Sequence, residues 1–309
     1  MHGEKTVLIF VLLGAASRVP ARATDFSGAE ALAFTRHAVS FGPRPSGSEA
    51  IQKLQAYILG ELKPAGCQVV QDDFMASTPL GQTPMKNILA RFPGTSGKAV
   101  VITGHYDTKS MPGTYFVGAN DAGSSTGFLL EMAKVLAHSP HLAHSPHKDD
   151  LYLVWFDGEE AVAQWSDYDS LYGSRHLAEK WATDGTLGRV KALINVDMIG
   201  DRDLGILEEM NSAAPLRELV WNTADRLGYG KHFLRNESAI EDDHIPFLRR
   251  GVNALDLIDL DYGPSNSYWH TDKDAMDKLS AGSFLVVGRV LTQVLKELEG
   301  GANGRDHRR

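Results

Sequence analysis

The sequence predicts an α/β fold: a single domain with a central mixed, twisted β-sheet flanked by helices on both faces. Three observations point there. Short apolar runs with strand character alternate along the chain with helical patterns, the order expected of a sheet covered on both sides. The first two strand-like runs lie too close together for a helical crossover, so part of the sheet must be antiparallel. The 309 residues, 43% of them apolar, can bury one large core, and no Pro/Ser/Gly-rich linker divides them.

Taken in order, residues 1–23 read as an export leader. Lys5 precedes the apolar run 7–16, and Ala21-Arg22-Ala23 has the small-residue spacing of a cleavage site. That run is half the roughly 20 residues a membrane-spanning helix needs. The expected organisation is therefore leader 1–23, folded domain 24–300 and a flexible tail 301–309, with the mature chain secreted or periplasmic. Predicted strands are 68–74, 87–92, 98–104, 151–157, 191–196 and 252–260. Predicted helices are 27–40, 48–62, 123–137, 171–181, 215–227 and 281–298, several opening after Ser or Asp caps. The four histidines between His138 and His147, interleaved with prolines, suit an exposed loop rather than a metal site. Cys67 is the only cysteine, so no intrachain disulfide can form. With a formal charge of −8 and no basic stripe, nucleic acid and anionic membrane surfaces are poor partners, and a monomer is expected.

Ligands of open α/β sheets collect at the carboxyl ends of the strands. Here those ends run into His105-Tyr106-Asp107, Asp157-Gly158-Glu159-Glu160 and Asp197, and the last is followed by a loop bearing Trp269-His270-Thr271. Gly118-Ala119-Asn120-Asp121 lies just before a helix. A single Asp in a turn is usually a cap; acid and imidazole groups from five segments on one sheet edge are the mixed donor set of catalytic zinc. Three ligands suffice, and Asp121, Glu160 and His270 are the set chosen. Adjacent side chains at a strand end diverge, so of the pair Glu159-Glu160 one carboxylate can bind metal while the other moves protons.

This ordered set, completed by Asp197-Met198-Ile199-Gly200, resembles the zinc aminopeptidase and glutaminyl cyclase superfamily over nearly the whole mature chain. Trp165-Ser166, the run from Asp169 through Leu171-Tyr172-Gly173-Ser174-Arg175 to Ala178, and Asp242-Asp243-His244-Ile245-Pro246-Phe247 resemble glutaminyl-peptide cyclotransferases specifically, of a bacterial type. The resemblance implies a zinc aminopeptidase-like fold with Asp121, Glu160 and His270 as zinc ligands. It implies Glu159 as general acid/base with Asp197 as its hydrogen-bonded partner, and Trp165, Trp269 and Asp242 as the pocket for the glutamine of a peptide or protein N-terminus. One zinc is expected; His105 and Asp197 match residues that hold a second metal in the aminopeptidase branch. Ala122 stands where animal cyclases have Ser, Glu241 where they have Gln, and their cysteine pair is missing.

Two other readings compete. Gly123-Ser124-Ser125-Thr126-Gly127 matches a serine-hydrolase elbow, but that motif needs a strand running straight into its serine, and Ala119-Asn120-Asp121-Ala122 precedes it. A zinc aminopeptidase would use the same residues to activate water against the first peptide bond.

Overall fold

The computed structural model describes residues 25–138 and 147–300. The predicted leader, most of the histidine-rich loop and the predicted tail lie outside the described residues. Along the chain run α1 (Gly28–Val39), α2 (Glu49–Leu62), β1 (Gln68–Thr78), β2 (Gly81–Phe92), β3 (Ala99–His105), α3 (Gly123–His138), β4 (Asp150–Phe156) and α4 (Tyr172–Asp184). There follow β5 (Val190–Asp197), β6 (Ile206–Glu209), α5 (Ala214–Arg226), β7 (Phe233–Ser238), α6 (Ile245–Leu248), β8 (Ala254–Ile258) and α7 (Ala281–Gly300). Six strands form one sheet in the order β1-β2-β4-β3-β5-β8. The β1–β2 and β2–β4 pairs are antiparallel and the rest parallel, so the sheet is mixed, as the short first connection predicts.

Alternation along the strands sorts the core into two layers. Ile88, Val100, Ile102, Leu153, Trp155, Ile194 and Leu257 face a large cluster completed by α1, α3 and α7. Leu89, Val101, Val154, Phe156, Leu193 and Ala254 face a smaller one with Leu177, Ala178 and Trp181 of α4 and Phe247 of α6. Strands buried on both faces read as continuous apolar runs, which is why β3, β4 and β5 were found almost to the residue.

The differences from expectation have physical causes. The first hairpin is longer than predicted, pairing down to Thr78 opposite Gly81 around Pro79-Leu80. Its outer half runs past the pairing with β4; Phe74, Ala76 and Met85 turn one face onto Tyr172, but the polar residues and Pro84 around the turn interrupt the apolar alternation that a sequence reading needs. Strands β6 and β7 went unpredicted: they form a separate two-stranded parallel sheet, too short and too polar in Arg235-Asn236-Glu237-Ser238 for an alternation signal. His138 closes α3 on the surface, whereas His147 is buried and lies 3.3 Å from Glu299, so that end of the stretch is not exposed loop.

The glycines of residues 123–127 serve packing. Helix α1 crosses α3 so closely that a Cβ on Gly127 would collide with Thr35 Oγ1 and the Ala31 carbonyl. Ser125 is buried within α3, its hydroxyl donating to the carbonyls of His105 (2.6 Å) and Ala122 (2.9 Å), which leaves it no part as a nucleophile. Gly127→Ala is expected to destabilise the fold by about 1–3 kcal/mol, the usual penalty for overpacking. A denaturant midpoint within error of wild type would contradict the α1–α3 packing described.

Candidate metal centre and active site

The parallel strands β3, β4, β5 and β8 deliver their carboxyl ends to one edge. Leaving β4, the chain turns at Gly158, whose φ of +73° favours glycine, and the N–H groups of Glu159 and Glu160 then donate to the Asp107 carboxylate at 3.2 and 3.4 Å. Asp121 sits just before α3. Its N–H and that of Asn120 donate to the two oxygens of buried Asp274, at 3.1 and 2.8 Å, and Tyr262 donates to the same carboxylate at 2.9 Å. Beneath this turn, fully buried Arg44 donates to the carbonyls of Val117 (2.5 Å), Gly118 (2.9 Å) and Tyr106 (3.1 Å). Burial lowers its pKa to about 10, against the opposing pull of Asp274, Asp107 and Asp121. His270 has a left-handed φ of 51°, uncommon for a residue with a side chain. Its ring stacks on Trp269 at 4.2 Å and meets the edge of Phe116 at 5.8 Å.

Two acid–imidazole triads result, and they share Asp121. His270 Nε2 lies 3.2 Å from Asp121 Oδ2 and 3.1 Å from Glu160 Oε1. His105 Nε2 lies 3.3 Å from both Asp121 Oδ1 and Asp197 Oδ1. Within each triad the three donor atoms all fall within 4.8 Å of one another. The second oxygen of Glu160 takes a contact of 3.2 Å from Lys109 Nζ. His105 Nδ1 comes within 3.4 Å of Asp107 Oδ1 but makes no aligned hydrogen bond, leaving a buried polar atom unsatisfied.

Charge crowding tunes the groups apart. Burial works against a protonated His270, yet Asp121 and Glu160 raise its pKa to about 9. Burial raises Asp197 to about 7, with His105 opposing. Glu159 is pushed well above the carboxylate range, first by burial and then by Glu160, Asp242 and Asp243, with His105 pulling the other way.

A cavity of about 370 Å³ opens on this edge, and all eight residues singled out from the sequence line it: Asp121, Glu159, Glu160, Trp165, Asp197, Asp242, Trp269 and His270. Trp165 and Trp269 are 38% and 39% exposed, while Asp242 is buried. Lys109, Glu241 and the apolar Ala239, Ile240, Ile258 and Leu260 complete the lining. Sequence reasoning missed Lys109, Arg44 and Asp274. Lys109 follows the His105 motif by two residues and was within reach of a longer reading. Arg44 and Asp274 lie in no motif, and only tertiary structure brings them to Asp121.

Overlapping acid–imidazole triads at the carboxyl edge of a helix-covered mixed sheet define the class: an α/β protein with groups that could hold a metal ion beside a pocket flanked by two tryptophans. Residues 87–295 match the family model described as Peptidase family M28. A glutaminyl-peptide cyclotransferase of Drosophila melanogaster is 32% identical over 253 residues, covering 75% of this chain and 70% of the relative. Among solved structures, a glutaminyl cyclase from an Acidobacteriales bacterium superposes with a TM-score of 0.85 at 40% identity, covering 92% of this chain and 98% of that one. A Zn-dependent exopeptidase of Parabacteroides distasonis superposes with a TM-score of 0.77 at 27% identity, covering 88% and 98%. The chain belongs to peptidase family M28 and, within it, to the glutaminyl-peptide cyclotransferases.

The Asp274 carboxylate holds the Asn120–Asp121 turn by two hydrogen bonds and accepts a third from Tyr262. Asp274→Ala strands two buried N–H groups and a buried phenol, and is expected to cost about 2 kcal/mol or more. Thermal or denaturant unfolding of the purified variant tests this; a loss below about 0.5 kcal/mol would show that water replaces the carboxylate freely.

Proposed function

We propose that this protein converts the N-terminal glutamine of peptides and proteins to pyroglutamate with release of ammonia, using one zinc ion held by Asp121, Glu160 and His270. The observation that carries this reading is the pairing of that donor set with an uncommitted buried carboxylate, Glu159, inside a pocket flanked by two tryptophans. The donors fit the metal. Imidazole nitrogen and carboxylate oxygen are both zinc donors, three protein ligands leave a fourth position open to substrate, and the His270 nitrogen already lies against both acids. When bound, zinc would polarise the glutamine γ-carbonyl.

The chain's own residues would supply the rest. Trp165 and Trp269 flank the flat amide side chain, and their exposed edges leave a route for the following residues of the peptide. The substrate's α-amine nitrogen attacks its own γ-carbonyl carbon, closing a five-membered ring, and the bond from that carbon to the amide nitrogen breaks. Glu159 takes the proton shed by the attacking amine and returns it to the departing nitrogen, which leaves as ammonia. Burial and acidic neighbours raise the proton affinity of the Glu159 carboxylate, which suits it to take the proton from the amine before passing it on. Asp197 lines the same pocket but bonds to His105 at 3.3 Å rather than to Glu159, so it would act as a partner of Glu159 only with substrate or metal between them. Export with residues 1–23 as leader is part of the same proposal, resting on the pattern of that segment. No helix among the described residues is long and apolar enough to cross a membrane.

One observation favours a second reading. The His105–Asp121–Asp197 triad suits a second metal, and a two-metal centre suits water attack on the first peptide bond, as in an aminopeptidase. Products separate the two: a pyroglutamyl peptide lighter by one ammonia, or a free amino acid. Release of leucine from a leucine amide, with Gln-peptides untouched, would overturn the cyclase reading.

Two further outcomes are expected. Removing metal with a heterocyclic chelator abolishes turnover and zinc restores it, whereas His270→Ala fails to retain zinc by elemental analysis; full activity of the stripped protein would refute the zinc centre. Glu159→Gln keeps zinc and fold but loses about 10²–10⁴-fold in turnover, the usual worth of a general acid/base. Turnover within a few-fold of wild type would remove Glu159 from the proton path.

A further inference from the structure

Part of the pocket wall is a short loop, residues 239–244, that leaves the small β6–β7 sheet and enters α6. It contributes Ala239, Ile240, Glu241 and Asp242 to the cavity lining. Local bonds secure mainly its C-terminal end: Asp243 N–H to Asp242 Oδ1, Ile245 N–H to the Asp242 carbonyl at 2.9 Å, and Phe247 and Leu248 N–H to the His244 carbonyl at 3.2 and 3.0 Å, with Glu241 3.6 Å from Arg249. A further holder lies outside the cavity. Glu209, the last residue of β6, is fully buried and spends both carboxylate oxygens on hydrogen bonds. Oε1 accepts the N–H of Ile240 at 3.1 Å and that of Asn211 at 2.9 Å. Oε2 accepts the N–H and hydroxyl of Ser212, both at 2.6 Å, and lies 3.2 Å from His244 Nε2. An ionised carboxylate can only accept, so Nε2 is the protonated nitrogen of that imidazole.

The two ends of the loop thus converge on one side chain. Ile240 is tied through its backbone, His244 through its ring, and Asp242 stands midway between them. Asn211, itself oriented by Glu209, adds a bond of 3.0 Å from its Nδ2 to the Ile240 carbonyl. Burial alone would raise the pKa of Glu209. The bonds from His244, Ser212, Asn211 and Ile240 hold it down to about 2, so the carboxylate is a stable anion at any pH at which the protein works.

We infer that Glu209 is a positioning residue for the substrate pocket: it clamps residues 240–244 so that Asp242 and Ile240 face the substrate, without touching the substrate itself. This rests on the proposed cyclase reading for what the pocket binds, but not for the clamp. It also gives the small β6–β7 sheet a purpose, since that sheet brings Glu209 and the loop side by side.

The test uses the full zinc-loaded chain and three variants: Glu209→Gln, which keeps size but loses one pair of acceptor positions; Glu209→Ala; and Asn211→Ala, an exposed position that removes only the Ile240 carbonyl bond. Hydrogen exchange of the peptide covering residues 239–248 is read alongside KM and kcat on a Gln-peptide and zinc content. Glu209→Gln is expected to speed exchange in that peptide, keep its zinc, and raise KM about tenfold with kcat changed far less, because a displaced wall weakens binding. Asn211→Ala should shift both readings the same way by a smaller factor. A purely structural role would lower thermal stability and the active fraction while leaving KM of the folded enzyme unchanged, and that result would overturn the inference. Should neither Glu209 variant fold, unchanged exchange and KM in Asn211→Ala would overturn it too. If the wild type fails to cyclise glutamine, the functional reading falls, and exchange in residues 239–248 alone decides on the clamp.

Discussion

The structure depends on a crowd of buried carboxylates at one edge of one sheet. Asp107, Asp121, Asp157, Glu159, Glu160, Asp197, Asp242 and Asp243 are all buried around the ends of β3, β4 and β5. Two unit charges about 4 Å apart repel by about 4 kcal/mol at the effective dielectric of a protein site. The local cations are few: Arg44 beneath the turn, Lys109 at the rim, and two imidazoles between the acids. Such a set persists only if some acids take protons and others share a cation, and the shifts follow that division. Asp157 and Asp197 are raised to about 7 and Glu159 is also pushed well above the carboxylate range, while Asp121, with a histidine on each oxygen, is held low. Donors that stay ionised suit a metal ligand. Groups kept near neutrality suit proton transfer.

That division explains why neighbours in sequence can take different parts. Glu159 and Glu160 hang from the same Asp107 carboxylate by consecutive N–H groups, yet Glu160 turns to His270 and Lys109 and Glu159 to the cavity. The parallel part of the sheet fixes the heights of these groups. The antiparallel hairpin contributes Met85 and Lys86, whose chain packs behind Gly158 and Asp157 rather than entering the site.

Much of this was legible in the sequence. Apolar runs buried on both faces announce β3, β4 and β5, and the polar residues that end such runs must lie on the sheet edge, so the acid and imidazole groups could be gathered before any coordinates. The cavity collects Asp121, Glu159, Glu160, Asp197 and His270 with the two tryptophans and Asp242, while His105 and Asp107 lie buried behind its wall. What escaped acts through hydrogen bonds between distant segments. Asp274 reaches Asn120 across 154 positions, Arg44 reaches Gly118 across 74, and Glu209 reaches Ile240 across 31. A buried Asp, Arg or Glu of this kind looks in sequence like any surface charge. Strands as short as β6 and β7 leave equally little trace, because four residues in β6 and a single buried position in β7, Phe233, are too few to show an alternation.

The most direct test of the account is the position of the metal. Crystals of the zinc-loaded protein, with data collected on either side of the zinc absorption edge, should show a single strong anomalous peak in contact with Asp121, Glu160 and His270, with the Glu159 carboxylate free of it. A peak held instead by His105 and Asp197, or none on this edge of the sheet, would contradict the assignment on which the chemistry rests.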